Sequence, residues 1–140
     1  MKKVIILAFM LLFSFIALPN TIAVAQTPPH EKFLYVACVD KGGKDPDFLA
    51  VVGVDPSDRS RFSKIIHRVD MRHVGDELHH FGYNHGQTTL MVPGLFSGRI
   101  YILDVSDPKR PFIKTVNEDL AKRSGYIIPH TVIGLPNGNN

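Results

Sequence analysis

From residue 33 onward, short apolar runs alternate with clusters of Asp, Pro, Gly and Ser, and several of the runs alternate apolar with polar at a period of two. That is strand patterning, since successive side chains of a strand point to opposite faces. Phe33–Val39 predicts a first strand, closed by the reversal Asp40–Pro46 with its paired glycines and Asp-Pro step. Phe48–Val54 predicts a second, ended by Asp55–Asp58. Phe62–Val69 predicts a third, with Ile65, His67 and Val69 on one face and Lys64, Ile66 and Arg68 on the other. Thr88–Val92, Arg99–Val105 and Phe112–Val116 follow as strands, separated by turns at Pro93–Gly98 and Ser106–Pro108. Asn117–Gly125 is the one helical turn, with Asn117 as its cap and Gly125 as its stop. Ile127–Leu135 reads as a last strand containing His130, and the Asn137-Gly138 pair after it is hairpin chemistry calling for a partner strand that the sequence does not contain.

The chain before residue 33 follows another pattern. Lys2 and Lys3 precede an apolar run, Val4–Leu18, and Ala23-Val24-Ala25 precedes Gln26. A basic start, an apolar core too short to span a bilayer comfortably and a small-x-small site predict a secretory signal peptide over residues 1–25, cleaved after Ala25. The protein is then periplasmic or secreted, with no stable membrane anchor after cleavage. Residues 26–140 remain, enough for one small domain. Much of the 44% hydrophobic content belongs to the leader. The net charge of +3 includes Lys2 and Lys3, and the other basic residues are scattered among acids. No nucleic-acid partner is expected from such a distribution. Cys38 is the single cysteine, so no internal disulfide can form in a compartment that would permit one. Its apolar surroundings predict a buried, inert thiol.

A repeat underlies the strands. Asp55 and Asp104 each close a strand before a turn, and they lie about 50 positions apart, as do His80 and His130; units of that size with four short strands are the mark of propeller blades. The all-β reading is therefore about two blades of a β-propeller, with a β-sandwich as the alternative. In a propeller the inner strands of successive blades converge on one axis, so His79 or His80 of one unit and His130 of the next would face a common point.

The densest chemistry is Gly75–His85, with two acids, three histidines and two glycines. Neutral imidazoles suit a borderline metal, with carboxylates near enough to act as ligands, orienters or bases. By ligand type alone, copper, zinc and nickel are equally admissible.

The runs Phe33–Cys38, Pro46–Pro56, Ile66–Val69, Gly75–Asn84, Arg99–Val105 and Pro129–Thr131, above all the Gly-Asp-Glu-Leu-His-His of residues 75–80, resemble the selenium-binding protein family, whose bacterial exported members include methanethiol oxidases. The resemblance implies a seven-bladed β-propeller and copper-dependent oxidation of methanethiol by oxygen and water to formaldehyde, hydrogen sulfide and hydrogen peroxide. It implies His79, His80 and His130 as metal ligands and Glu77 as a further ligand or a catalytic base. Residues 85–88 stand where mammalian relatives carry a longer cysteine-containing loop tied to selenium, a departure that points to the bacterial enzyme type. A full ring needs roughly 300 residues or more, so the chain resembles an N-terminal portion, inactive by itself, that later residues or a second polypeptide would complete. The alternative function is a selenium- or metal-binding propeller module without catalysis.

Overall fold

A computed structural model of the protein describes residues 30–136. The predicted leader and the Asn137-Gly138 turn lie outside the described residues. Among the described residues, seven strands and one short helix run in the order β1 (Phe33–Cys38), β2 (Pro46–Gly53), β3 (Ile65–Val74), β4 (Gly82–Tyr83), β5 (Thr89–Pro93), β6 (Ile100–Asp104), β7 (Phe112–Asn117) and α1 (Leu120–Ser124). They form two antiparallel sheets, β1-β2-β3 and β4-β5-β6-β7, in which every neighbour in space is a neighbour in sequence.

The trio β1-β2-β3 matches β5-β6-β7, and the repeated aspartates do the same work in both. Asp55 Oδ1 accepts the N–H of Ser57 at 2.9 Å, and Asp104 Oδ1 accepts the N–H of Ser106 at 3.0 Å. Each carboxylate thus closes an Asx turn after the middle strand of its trio. The Ser57 hydroxyl lowers the pKa of Asp55, and the Ser106 N–H that of Asp104.

The sheets share one apolar interior. Leu49, Val69 and Met71 from the first meet Leu90, Val92, Tyr101 and Leu103 from the second, with Leu78 and Val105 completing the cluster. The alternation in β3 supplies Val69 and Met71 to it while Arg68, Asp70 and Arg72 face solvent. Polar ties add direction to the packing. The Tyr35 hydroxyl on β1 donates to the Pro108 carbonyl at 2.9 Å, and burial pushes its pKa up to about 12, so it remains a donor.

Three sequence expectations are corrected. The third strand starts at Ile65, because residues 58–64 are already committed to a turn in which Phe62 N–H donates to the Asp58 carbonyl and Lys64 N–H to that of Arg61. It continues to Val74, and a bulge at Val51/Val52 of β2 breaks the expected face, leaving Ile65 60% exposed while Val69 is buried. The helix spans only Leu120–Ser124, with Asp119 at its N-cap, because Asn117 pairs with Ile100 as the last residue of β7; Gly125 does end it, at φ 76. Ile127–Leu135 forms no ladder. A single parallel bridge joins Thr131 to His80, and Ile127 and Ile133 are more than two-thirds exposed.

Asp76 is fully buried, and its carboxylate accepts from Arg99 Nη1 at 2.9 Å and from the Tyr101 hydroxyl. Tyr101→Phe removes one of those donors without opening a cavity. It should cost about 1–3 kcal/mol, the penalty for an under-satisfied buried acceptor, read as a lower urea midpoint with an unchanged slope.

Candidate metal centre

Two segments deliver the histidines. The first is Asp76–Phe81, which leads into β4. Glu77 has a positive φ of 52, and its carbonyl accepts the Leu95 N–H at 2.9 Å. His79 N–H donates to the Pro93 carbonyl at 2.9 Å, so the segment runs along the end of β5. The second is residues 130–134, laid parallel to the first by the Val132 N–H donating to the His80 carbonyl at 3.2 Å. Glycine makes that approach possible. A Cβ on Gly82 would overlap the Val132 carbonyl, and one on Gly134 would overlap that of Tyr83.

The three rings meet as a result. Ring centroids lie 4.5 Å apart for His79–His80, 4.3 Å for His79–His130 and 4.6 Å for His80–His130. One nitrogen from each falls within 4.8 Å of the others. His79 is half-buried, and its Nδ1 is buried without a hydrogen-bond partner, whereas His80 and His130 are exposed. His130 Nδ1 is 3.0 Å from the Thr131 hydroxyl, which leaves Nε2 the freer nitrogen. Lost hydration, then the positive charges that His79 and His80 can carry, push the His130 pKa below its ordinary 6.5. A converging set of imidazoles with an orphaned nitrogen fits a metal of the copper, zinc or nickel type.

Glu77 is outside this cluster. Its residue lines a groove of about 410 Å³ with Val39, Asp40, Lys41, Leu78 and His79. On another side, Ala37, Leu78 and Phe81 form an apolar wall with His79 and His80 around about 400 Å³. His85 is exposed and makes no part of the triad. Cys38 ends β1 half-buried, short of the full burial expected, with Sγ 3.7 Å from the Val36 carbonyl; burial raises its thiol pKa, as for an inert thiol.

Residues 18–140 match the profile of the 56 kDa selenium-binding protein family. The chain belongs to that family. It is similar to selenium-binding protein 2 of Arabidopsis thaliana, 44% identical over 130 residues that cover 82% of this chain and 26% of that protein. It is similar also to the methanethiol oxidase of Xenopus laevis, at 41% identity over 76% of this chain and 26% of the relative. The X-ray structure of a hypothetical selenium-binding protein from Sulfolobus tokodaii superposes with a TM-score of 0.72 at 40% identity, covering 79% of this chain and 28% of that one. The chain thus spans about a quarter of the length of these relatives. That neighbour has a propeller-type fold, and the two antiparallel sheets of this chain agree with the expectation of about two blades of an all-β propeller.

Sequence reasoning passed over Asp47 and gave Asp76 and Gly82 no role of their own within the stretch Gly75–His85. A charge inside the apolar strand Pro46–Gly53 and a glycine between the histidines and Tyr83 were the available signals.

Two outcomes are expected. Gly82→Ala should push residues 130–134 off β4, removing nuclear Overhauser contacts between the His80 and His130 rings while the core stays folded. In the metal-free protein the His130 ring should titrate below pH 6.5 by NMR, and His79→Ala should move that midpoint upward by removing a neighbouring positive charge. Because the folded-state pKa is depressed, His130 disfavours folding only in acid: its contribution turns unfavourable as pH falls through the unfolded-state value.

Proposed function

We propose that the chain carries part of the metal centre of a methanethiol-oxidase-type protein and that the metal is copper. The observation that carries this reading is the convergence of His79, His80 and His130 from two successive inner segments of the propeller, with a buried nitrogen of His79 left unpartnered. When bound, copper supplies the electron-transfer chemistry needed to oxidise a methyl carbon while oxygen is reduced to peroxide. The reaction balances with one molecule each of methanethiol, oxygen and water giving one each of formaldehyde, hydrogen sulfide and hydrogen peroxide.

The chain's own residues have defined parts in it. The three imidazoles would hold the metal as neutral donors, and lost hydration, together with the neighbouring His79 and His80, favours the neutral form of His130. Ala37, Leu78 and Phe81 offer the methyl group an apolar wall beside the triad. Glu77, whose groove reaches His79, is the proposed base for the thiol or for water. The partners are a small thiol and oxygen, with no nucleic acid. Activity belongs to a complete seven-bladed ring, and residues 1–140 alone should bind metal without consuming thiol. Residues 1–25 act as a leader for export to the periplasm or beyond, and the exported chain should begin at Gln26 by mass spectrometry.

The test is metal content after loading with copper, measured on the wild-type chain and on His80→Ala and His130→Ala. Occupancy near one copper per chain in wild type and near zero in both variants is expected. Normal content in either variant would remove that residue from the site. Copper binding without thiol consumption by a full-length relative carrying these residues would favour the non-catalytic metal-binding module.

A further inference from the structure

We infer that Asp47, a residue of the neighbouring blade outside the histidine cluster, is the positioning residue that sets the pose of His79; as regards the metal, the inference rests on the reading above. Asp47 sits in β2, in an otherwise apolar strand, and is 2% exposed. Burying a carboxylate there is costly unless its oxygens are satisfied. Both are, and both by backbone. Oδ2 accepts the N–H of Leu78 at 2.9 Å, and Oδ1 accepts the N–H of Asp40 at 2.8 Å.

The first of these bonds crosses between blades one residue before a proposed ligand. Around it, three successive residues are fixed from two directions: the Glu77 carbonyl by Leu95, the Leu78 N–H by Asp47 and the His79 N–H by Pro93. Leu95 and Pro93 belong to the same blade as His79 and His80, so Asp47 supplies the hold from the other side. The Nδ1 of His79 has no partner to steer its ring, so its backbone carries more of that task. Without the Asp47 carboxylate, the buried Leu78 N–H would be orphaned, and the 78–79 peptide would turn to find another acceptor. The second bond ties the same side chain to the β1–β2 loop. There the Asp40 carboxylate accepts the N–H groups of Lys44 at 2.7 Å and Asp45 at 3.1 Å, and Val39, Asp40 and Lys41 face Glu77 and His79 across the groove. One buried carboxylate thus places both a proposed ligand and a wall of the groove beside it.

The experiment compares the full chain with Asp47→Asn, which keeps the shape but presents an amide NH2 group to one of the two N–H donors, and with Asp47→Ala. In the metal-free proteins, amide exchange at Leu78 and contacts between the three imidazole rings are read by NMR. The expected result is loss of Leu78 protection and of the His79–His130 ring contact, with the His80–His130 contact kept, because Val132 and His80 hold that pair independently. In titrations with copper and with zinc, the variants should bind about tenfold more weakly or worse, the usual cost of removing a group that orients a ligand. A protected Leu78 amide with all ring contacts intact overturns the inference. So does general unfolding of both variants, which would make Asp47 a residue of stability only. If wild type takes up no metal while the variants still lose the His79 contact, the metal reading fails and the positioning role stands.

Discussion

The close backbone approach of residues 130–134 to residues 80–84 is the constraint on which the site depends. Strand-like segments at the inner edges of successive blades reach each other only if no side chain stands between them, and here Gly82 and Gly134 leave that space. The approach is fixed by one hydrogen bond, Val132 to His80, and by one parallel bridge. It carries His130 onto a pair of histidines about 50 positions earlier in the chain. No tight local motif could bring residues so distant together. Only repetition of the blade does, because it returns the chain to the axis at the same height each time.

What holds the blades in relation is a mixture of apolar packing and a string of charges. Nine buried side chains from both sheets form one cluster and supply most of the driving force. The string adds orientation. From buried Asp76 it passes to Arg99, then at 2.7 Å to Glu118 on the segment after β7, then at 2.8 Å to His73 on β3 of the first blade. The inner end is desolvated and the outer end exposed, so the inner pair has little water to screen it and the outer pair contributes little on its own. Arg99 and His73 hold the Glu118 carboxyl below its usual range, and this stabilisation is lost as pH falls through that lowered value. Asp76 and Asp47 bracket the segment that bears His79 and His80, each a buried carboxylate satisfied within the protein.

Much of this was legible in the sequence. The strand pairs follow from period-two alternation, the blade repeat from aspartates that turn out to close the same turn twice, and the triad from a histidine pair with a third histidine one repeat later. The family followed from the Gly-Asp-Glu-Leu-His-His run. What stayed hidden depends on contacts with no local signature. β3 outlasts Val69 because Asp70 and Arg72 are the solvent face of a strand, not the end of one. Asn117 joins β7 because Ile100 is opposite it, although in isolation it has the chemistry of a helix cap. Ile127–Leu135 has the composition of a strand but lacks a ladder, since a strand is defined by its neighbours. Asp47 falls between the expected reversal Asp40–Pro46 and the expected strand Phe48–Val54, and its partner Leu78 lies 31 positions away.

The weakly held segment is also the one that bears the proposed ligand His130, and on that reading binding is linked to order. Residues 126–135 leave Tyr126, Ile127, Ile128 and Ile133 largely exposed and rest on the first inner segment through a few backbone contacts. A metal shared by His79, His80 and His130 would bind only the arrangement in which that segment is docked. Its binding free energy would then appear as docking free energy, as it does wherever ligands come together only in the folded state. The two histidines next to β4 are held by the blades without any metal, through Pro93, Asp47 and the core. His130 is not so held, and its exposed ring is kept near the others by one backbone hydrogen bond and two missing Cβ atoms. On the proposed reading, His79 and His80 form the preorganised half of the site and His130 the half that closes on it, so that loading the metal and ordering the next inner segment are one event.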